Sequence, residues 1–290
     1  MQALVGEAIT VTSPDGTSIG GLRSGHGPPL VLVHGTGGTH ARWLPLLPRL
    51  SDRFTVYAID RRGRGRSGDR MPYEIEREFE DIAAVIDSIG EPVNLFGHSY
   101  GAICALEATL LTPAVRRLVV YEPPVPTGMR MRPYGLEERL RERMAVGDPD
   151  GVLVTFLREM ERLPEEEIHA IRSSPAWEPR LAAVRTLPRE IRLPESYRFQ
   201  QDRFASLRVP TLILLGEHVP PFLHEAARVT ALGVPTARIQ VLPELRRAPL
   251  DAPPEQFLDA LLQFFEESSG PEPAFLPEPA PLPGPVFTAP

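Results

Sequence analysis

The sequence predicts an α/β fold, a mostly parallel sheet covered by helices on both faces, with an all-helical segment inserted into it. Three features predict it. Short apolar runs without polar alternation recur along the chain, as strands buried on both faces require. Helix-period segments separate several of them, the pattern of a sheet built by crossover connections. From about residue 123 to 207 the alternation stops, and helical segments punctuated by prolines replace it.

Residues 4 to 33 read as extended segments with turn signals at Ser13-Pro14-Asp15-Gly16 and Gly25-His26-Gly27-Pro28, ending in the apolar run "PLVLVHG" (29–35). Further strands are predicted at "FTVYAID" (54–60), "VNLFG" (93–97), "RRLVVYE" (116–122), "PTLILLG" (210–216) and "ARIQVLP" (237–243). Helices are predicted at "EREFEDIAAVIDSIG" (76–90) and "GAICALEATLL" (101–111), and at the amphipathic "PPEQFLDALLQFFEES" (253–268). In the inserted segment "LEERLRERMAV", "DGVLVTFLREMERL", "EEEIHAIRSS" and "RLAAVRTL" read as helices. The expected division is a core of residues 1–122 and 208–268, a helical cap of 123–207, and a tail of 269–290. From Gly270 to Pro290 the tail carries eight prolines in 21 residues and reads as extended or disordered, with proline-motif docking as the other reading.

At 290 residues and 42% hydrophobic, the chain can bury a large core. A net charge of −7, with no basic tract, argues against a nucleic-acid partner. All 31 basic residues are arginine, which excludes Schiff-base chemistry on a lysine. Cys104 is the single cysteine, so no intrachain disulfide can form. With no charged leader and no apolar run of membrane-spanning length, the expectation is a cytoplasmic protein without a membrane partner. No P-loop, no strand-linked G-x-G-x-x-G and no H-E-x-x-H occurs, and no cofactor or metal is expected.

The chemistry concentrates at Gly97-His98-Ser99-Tyr100-Gly101, where a predicted strand breaks and a helix begins. This is the strand-turn-helix setting of a nucleophile elbow, G-x-S-x-G, whose tight turn lifts the serine hydroxyl above the sheet. A chance glycine-rich turn is the bland alternative. Upstream, "VLVHGTGGTHARW" (31–43) supplies a glycine-rich loop. An N–H near Gly35 and Thr36, with that of Tyr100 after the serine, would form an oxyanion hole, His98 beside them in the pocket.

These stretches, with "YAIDRRGRGRSGD" (57–69), "PTLILLG" and the last helix, resemble the α/β-hydrolase fold over about residues 5 to 267. The resemblance implies an eight-stranded sheet, a helical cap after the sixth strand, and a pocket between them. It also implies a serine activated by a histidine on the loop before the last helix, oriented by an acid after the sixth or seventh strand. Glu122 matches the first acid position, though it could merely begin the cap loop; at the second stands Val219, after Glu217 and His218. Where the family carries the histidine, this chain has Arg247. Arginine has donors but no acceptor and stays protonated, so it cannot be the base; it can pair with Glu122 instead.

All seven histidines, His26, His34, His40, His98, His169, His218 and His224, read as structural or pocket-lining; His218 alone has a catalytic alternative, being placed where a short rearrangement would bring an imidazole towards Ser99. A serine without its base loses several powers of ten in rate. The leading expectation is therefore an enzyme with a dismantled Ser-His-acid triad that promotes a cyclisation, isomerisation or elimination on a hydrophobic small-molecule intermediate. In it Arg247 or the oxyanion donors hold developing charge, and Glu122 or His218 handles a proton. The alternatives are a serine esterase or lactonase using His218 as base, and a non-catalytic ligand-binding protein. Met129, Met131, Met144, Met160, Tyr134, Phe156, Trp177, Tyr197, Phe199 and Phe204 are candidate walls of an apolar site, or simply core.

Overall fold

A computed structural model describes residues 6–246, 250 and 253–267. Eight strands, β1 (Glu7–Thr12), β2 (Ser18–Gly25), β3 (Pro29–Val33), β4 (Thr55–Ile59), β5 (Val93–His98), β6 (Val115–Tyr121), β7 (Thr211–Gly216) and β8 (Ala237–Leu242), form one sheet. Their order is β1-β2-β4-β3-β5-β6-β7-β8. The first hairpin pairs antiparallel with β4, and everything from β4 to β8 is parallel.

The unbroken apolar runs are explained by alternation across a sheet whose faces are both covered. Val31, Val33, Leu118, Val120, Ile213 and Leu215 point into one core, with the helices Ile75–Ile89, Tyr100–Ala108 and Pro221–Gly233. Leu30, Leu32, Val119, Tyr121, Leu212 and Leu214 point into the other, under the helices Leu47–Ser51 and Glu255–Glu266. β8, at the edge, is mostly exposed, Ile239 and Val241 included.

Between β6 and β7 the described chain is helical, with its own apolar cluster around Leu140, Leu153, Phe156, Trp177 and Leu187. Here the sequence expectation needs adjustment. "RLAAVRTL" is not one helix: it divides into Trp177–Ala182, a 3₁₀ turn at Val184–Thr186 and a new turn at Leu187–Glu190. Pro188 has no N–H to continue a ladder, and it sits at the start of that new turn, where none is needed. The helix after the serine is also shorter than its apolar run, ending at Ala108. The proline-rich tail and Arg247 lie outside the described residues.

Candidate functional site

β5 and the helix beginning at Tyr100 meet at Ser99, which adopts φ 52°, ψ −121°. A non-glycine residue holds this left-handed backbone only when its surroundings over-determine it. Two glycines make the turn possible. A β-carbon at Gly97 would stand 2.4 Å from the Gly101 carbonyl oxygen, and one at Gly101 2.4 Å from the His34 carbonyl oxygen, contacts no side chain tolerates. Register does the rest: His98 pairs with Tyr121, and the Ser99 N–H donates to the Tyr121 carbonyl at 2.8 Å.

The glycine-rich loop after β3 closes over the serine. Gly35 fits tightly there, since a β-carbon on it would lie 3.0 Å from Ser99 Cβ and 3.1 Å from His98 Nδ1. Thr36 and Ser99 line the same two cavities. Tyr100 opens its helix, so its N–H belongs to the first turn, where no intrahelical acceptor exists and the helix dipole favours negative charge. The first cavity, of about 540 Å³, is floored by Ser99, His98 and Gly35 to Gly38 and roofed by Leu153, Phe156, Leu157 and Ile171 of the helical segment. The second, narrow at about 30 Å³, runs past Tyr100, Met131, Met160 and Phe222.

Glu122, at 1% exposure, follows the last residue of β6 and is likewise left-handed, at φ 50°. Its N–H donates to the Leu214 carbonyl at 2.9 Å. It lines neither cavity. His218 is not brought to the serine: its side chain is half exposed, its Nε2 lies 3.9 Å from the Glu244 carboxylate, and it too lines neither cavity. All seven histidines are described, and only His98 lines these cavities; its ring packs on that of Tyr121, centroids 5.6 Å apart. Of the ten candidate wall residues, Met131, Met160 and Phe156 reach the cavities; Tyr197 and Phe204 are in the main core, and Tyr134 is 80% exposed.

Beneath the site lies a buried charge network. Arg61 donates Nε to Glu78 at 2.7 Å and Nη2 to Glu78 at 2.8 Å, and its guanidinium stacks 4.3 Å from the Tyr100 ring centre. The Tyr73 hydroxyl joins Glu78 and the Tyr100 hydroxyl, both at 2.7 Å. From the helical segment Glu190 accepts from Arg61 at 3.2 Å and from Arg64, tying that segment to the core beside the narrow cavity. Burial alone would raise the Glu78 carboxyl, but the Arg61 charge outweighs it and holds the group ionised. His34 is driven the other way: burial, then Arg64 and Arg61, push its pKa down to about 3. Neutral, it accepts the Arg61 N–H on Nε2 at 3.1 Å and its Nδ1 donates to the Gly35 carbonyl at 2.8 Å. Asp60 closes the loops by accepting from His40 Nδ1 at 2.8 Å, the His40 N–H at 2.7 Å and the Arg66 N–H at 2.9 Å. The density of arginines in "DRRGRGRSGD" hinted at this network; Glu190, more than a hundred residues away, carried no signal. Among the described residues no cluster of histidine, cysteine and carboxylate side chains suited to a metal occurs, and no helix is long and apolar enough to cross a membrane.

Residues 30–260 match the model of a family described as the alpha/beta hydrolase family. The crystal structure of an alpha/beta hydrolase from Sphaerobacter thermophilus is 36% identical, covering 89% of this chain and all of that one, with a TM-score of 0.75. A protein of Azorhizobium caulinodans named "Putative carbamate hydrolase RutD" is 29% identical over 259 residues, 84% of this chain and 93% of that protein. "Probable oxidoreductase EphD" of Mycobacterium tuberculosis is 38% identical over 100 residues; the match spans only 17% of that relative's length.

Proposed function

Since the chain belongs to the alpha/beta hydrolase family, we propose that it is a serine-centred enzyme acting at the carbonyl carbon of a small ester-, lactone- or carbamate-type substrate. Ser99 touches the reacting carbon, and the N–H groups of Thr36 and Tyr100 receive its oxygen as charge develops there. One observation carries the reading: Ser99 is held at φ 52°, ψ −121° on the floor of the 540 Å³ cavity. The likeness to a protein named as a carbamate hydrolase supports it. His218 is given no part, because it faces Glu244 and lines neither cavity.

The chemistry expected is that of a serine hydrolase without its usual imidazole. Activated esters, whose leaving groups depart as anions, acylate Ser99 slowly; unactivated esters, which need a proton moved in step, turn over far more slowly. The test is covalent labelling of the intact protein by a fluorophosphonate, read by mass spectrometry, with p-nitrophenyl acetate as second probe. The reading requires one adduct on Ser99 and a burst of p-nitrophenolate, both lost in Ser99→Ala. Folded protein that stays unmodified after prolonged exposure overturns it.

A second reading is favoured by one specific observation: no histidine except His98 lines the cavities, and Arg247 stands at the position where the family resemblance puts the imidazole. In that reading the oxyanion donors stabilise an enolate-like charge in a cyclisation, isomerisation or elimination, and Ser99 serves as a hydrogen-bonding group. Its signature is turnover of a substrate with no covalent adduct at any stage.

A further inference from the structure

β8 pairs with β7 on one side, and no described residue pairs with its other side. Two bonds show which backbone groups it presents there. The Thr236 carbonyl accepts from the Thr211 N–H at 3.3 Å, and the Leu242 carbonyl from the Glu217 N–H at 3.0 Å. The register between them runs without a shift, so the even-numbered residues turn their N–H and C=O toward β7, and Ile239 and Val241 turn theirs outward. The side chains of these two are also exposed, at 43% and 44%, on the face that Ala237 shares with the helix Pro221–Gly233. Edge strands usually carry a device against pairing, such as a lysine, a proline or a bulge. β8 has none of these: its one charge, Arg238, is turned back onto the last helix, 5.0 Å from the Phe264 ring centre and paired with Glu267.

We propose that this edge joins a second copy of the chain, antiparallel about a two-fold axis at Gln240, so that one sheet runs through both copies. A two-fold contact requires the strand to complement itself, and in this register it does. Ile239 of one copy faces Val241 of the other and exchanges both N–H···O bonds with it; the symmetric pair repeats this, which uses every outward group of the two residues. On one face isoleucine meets valine. On the other Gln240 meets its own mate and Arg238 meets Leu242, so no like charges stand opposite each other. Neighbouring registers are poorer. An axis at Ile239 sets Ala237 opposite Val241, and the Ala237 N–H is already given to the Val234 carbonyl at 2.9 Å. An axis at Val241 sets Pro243, which has no N–H, opposite Ile239. The chain's own tail is also a poorer partner, because from Gly270 onward its prolines leave no run longer than four residues to form a ladder.

The test is sedimentation of the 290-residue chain over a range of concentrations, with cross-linking to read the register. A concentration-dependent dimer is expected. Val241→Pro removes an outward N–H and keeps the bonds to β7, and Ile239→Lys charges the edge; each should weaken dimerisation by about tenfold or more. In Gln240→Cys the axis brings the two thiols together across a non-hydrogen-bonded pair, with Cα atoms about 4.5 Å apart, within reach of a disulfide. Mild oxidation should therefore link the copies about tenfold or more faster than in Ile239→Cys, whose thiols stand diagonally, beyond about 7 Å. Cys104, the native thiol, is buried and leaves the introduced one as the reactive group. A chain that stays monomeric at about 100 μM, whether the tail, another protein or nothing takes the edge, overturns the proposal. So does a dimer that neither edge variant weakens, or one in which Gln240→Cys links no faster than Ile239→Cys.

Discussion

The Ser99 N–H donates to the Tyr121 carbonyl at 2.8 Å, which fixes the serine to the neighbouring strand one residue before Glu122. The serine and the buried acid are thereby set at adjacent strand ends by backbone register alone. The acid nevertheless lines neither cavity, and a hydrogen-bonded relay to Ser99 would need a side chain placed between the two.

That arrangement predicts a non-additive pair of effects. Introducing an imidazole with Arg247→His is expected to raise steady-state hydrolysis of p-nitrophenyl acetate by about 10² or more, the gain a restored base provides. In that background Glu122→Gln should remove most of the gain, about 10², because an acid oriented toward imidazole fixes its tautomer, whereas in the parent protein the same change should alter acylation by less than about tenfold. Equal losses in both backgrounds would show that Glu122 acts on Ser99 independently of position 247.

His218→Ala provides the complementary check. With its imidazole beside Glu244 and outside both cavities, its removal is expected to leave the rate and extent of fluorophosphonate labelling unchanged. A loss of labelling in this variant would mean that the loop after β7 rearranges to deliver a base.

The elbow depends on close backbone approach, and Gly101→Ala tests it. The added methyl would meet the His34 and Val33 carbonyl oxygens at 2.4 and 2.5 Å, both of them backbone atoms in the sheet. The variant should be destabilised by about 3 kcal/mol or more, or fail to fold, as overpacking against fixed atoms does. Denaturant unfolding of purified protein measures it.

Glu190→Gln addresses the link between the helical segment and the core. The carboxylate is fully buried between Arg61 and Arg64, and neutralising it leaves cationic groups without their partner. A loss of about 3 kcal/mol is expected, with proteolysis appearing first between residues 123 and 207. Unchanged stability would mean that the guanidinium groups find equivalent partners.

A pH dependence follows from His34. Its pKa lies near 3 in the folded protein, far below the ordinary value of 6.5, so the unfolded chain takes up a proton that the native protein refuses. Stability from this group is present in full above pH 6.5 and declines as the pH falls toward 3, at no more than about 1.4 kcal/mol per pH unit. Between pH 6.5 and about 5.5, urea midpoints should drop more steeply in the parent protein than in His34→Gln; the window stops there because burial raises the Asp81 and Glu107 carboxyls. An identical slope in both would remove His34 as the cause.

Much of this architecture was legible because it is written in local pattern. The apolar runs of β3, β5, β6 and β7 need only be buried on both faces to read as they do, and the glycines about Ser99 mark a turn no other residue permits. The place of Glu122 just after β6 was legible because strand ends are recognisable; its role as an acid came only from the family resemblance. The contents of the cavity were less so. Arg162 and Arg246 sit in loops without periodicity, and only three of the ten candidate wall residues reach the cavities, since an aromatic on a helix looks alike whether it faces a core or a ligand. Glu190 belongs to a turn whose partners, Arg61 and Arg64, are distant in sequence, a pairing that emerges only in three dimensions.

Glu122 is also where the sheet hands the chain over to the helical segment, and the next two residues, Pro123 and Pro124, have their φ angles locked by their rings. The tether of the lid is thus anchored at the candidate triad acid itself. The stiffness is local, because the chain then passes Gly128 at φ 84° and Gly135 at φ 65° before the first helix begins at Leu136. The two prolines therefore restrain the exit of the chain from the acid, and the glycines beyond them give the helices their own freedom of placement.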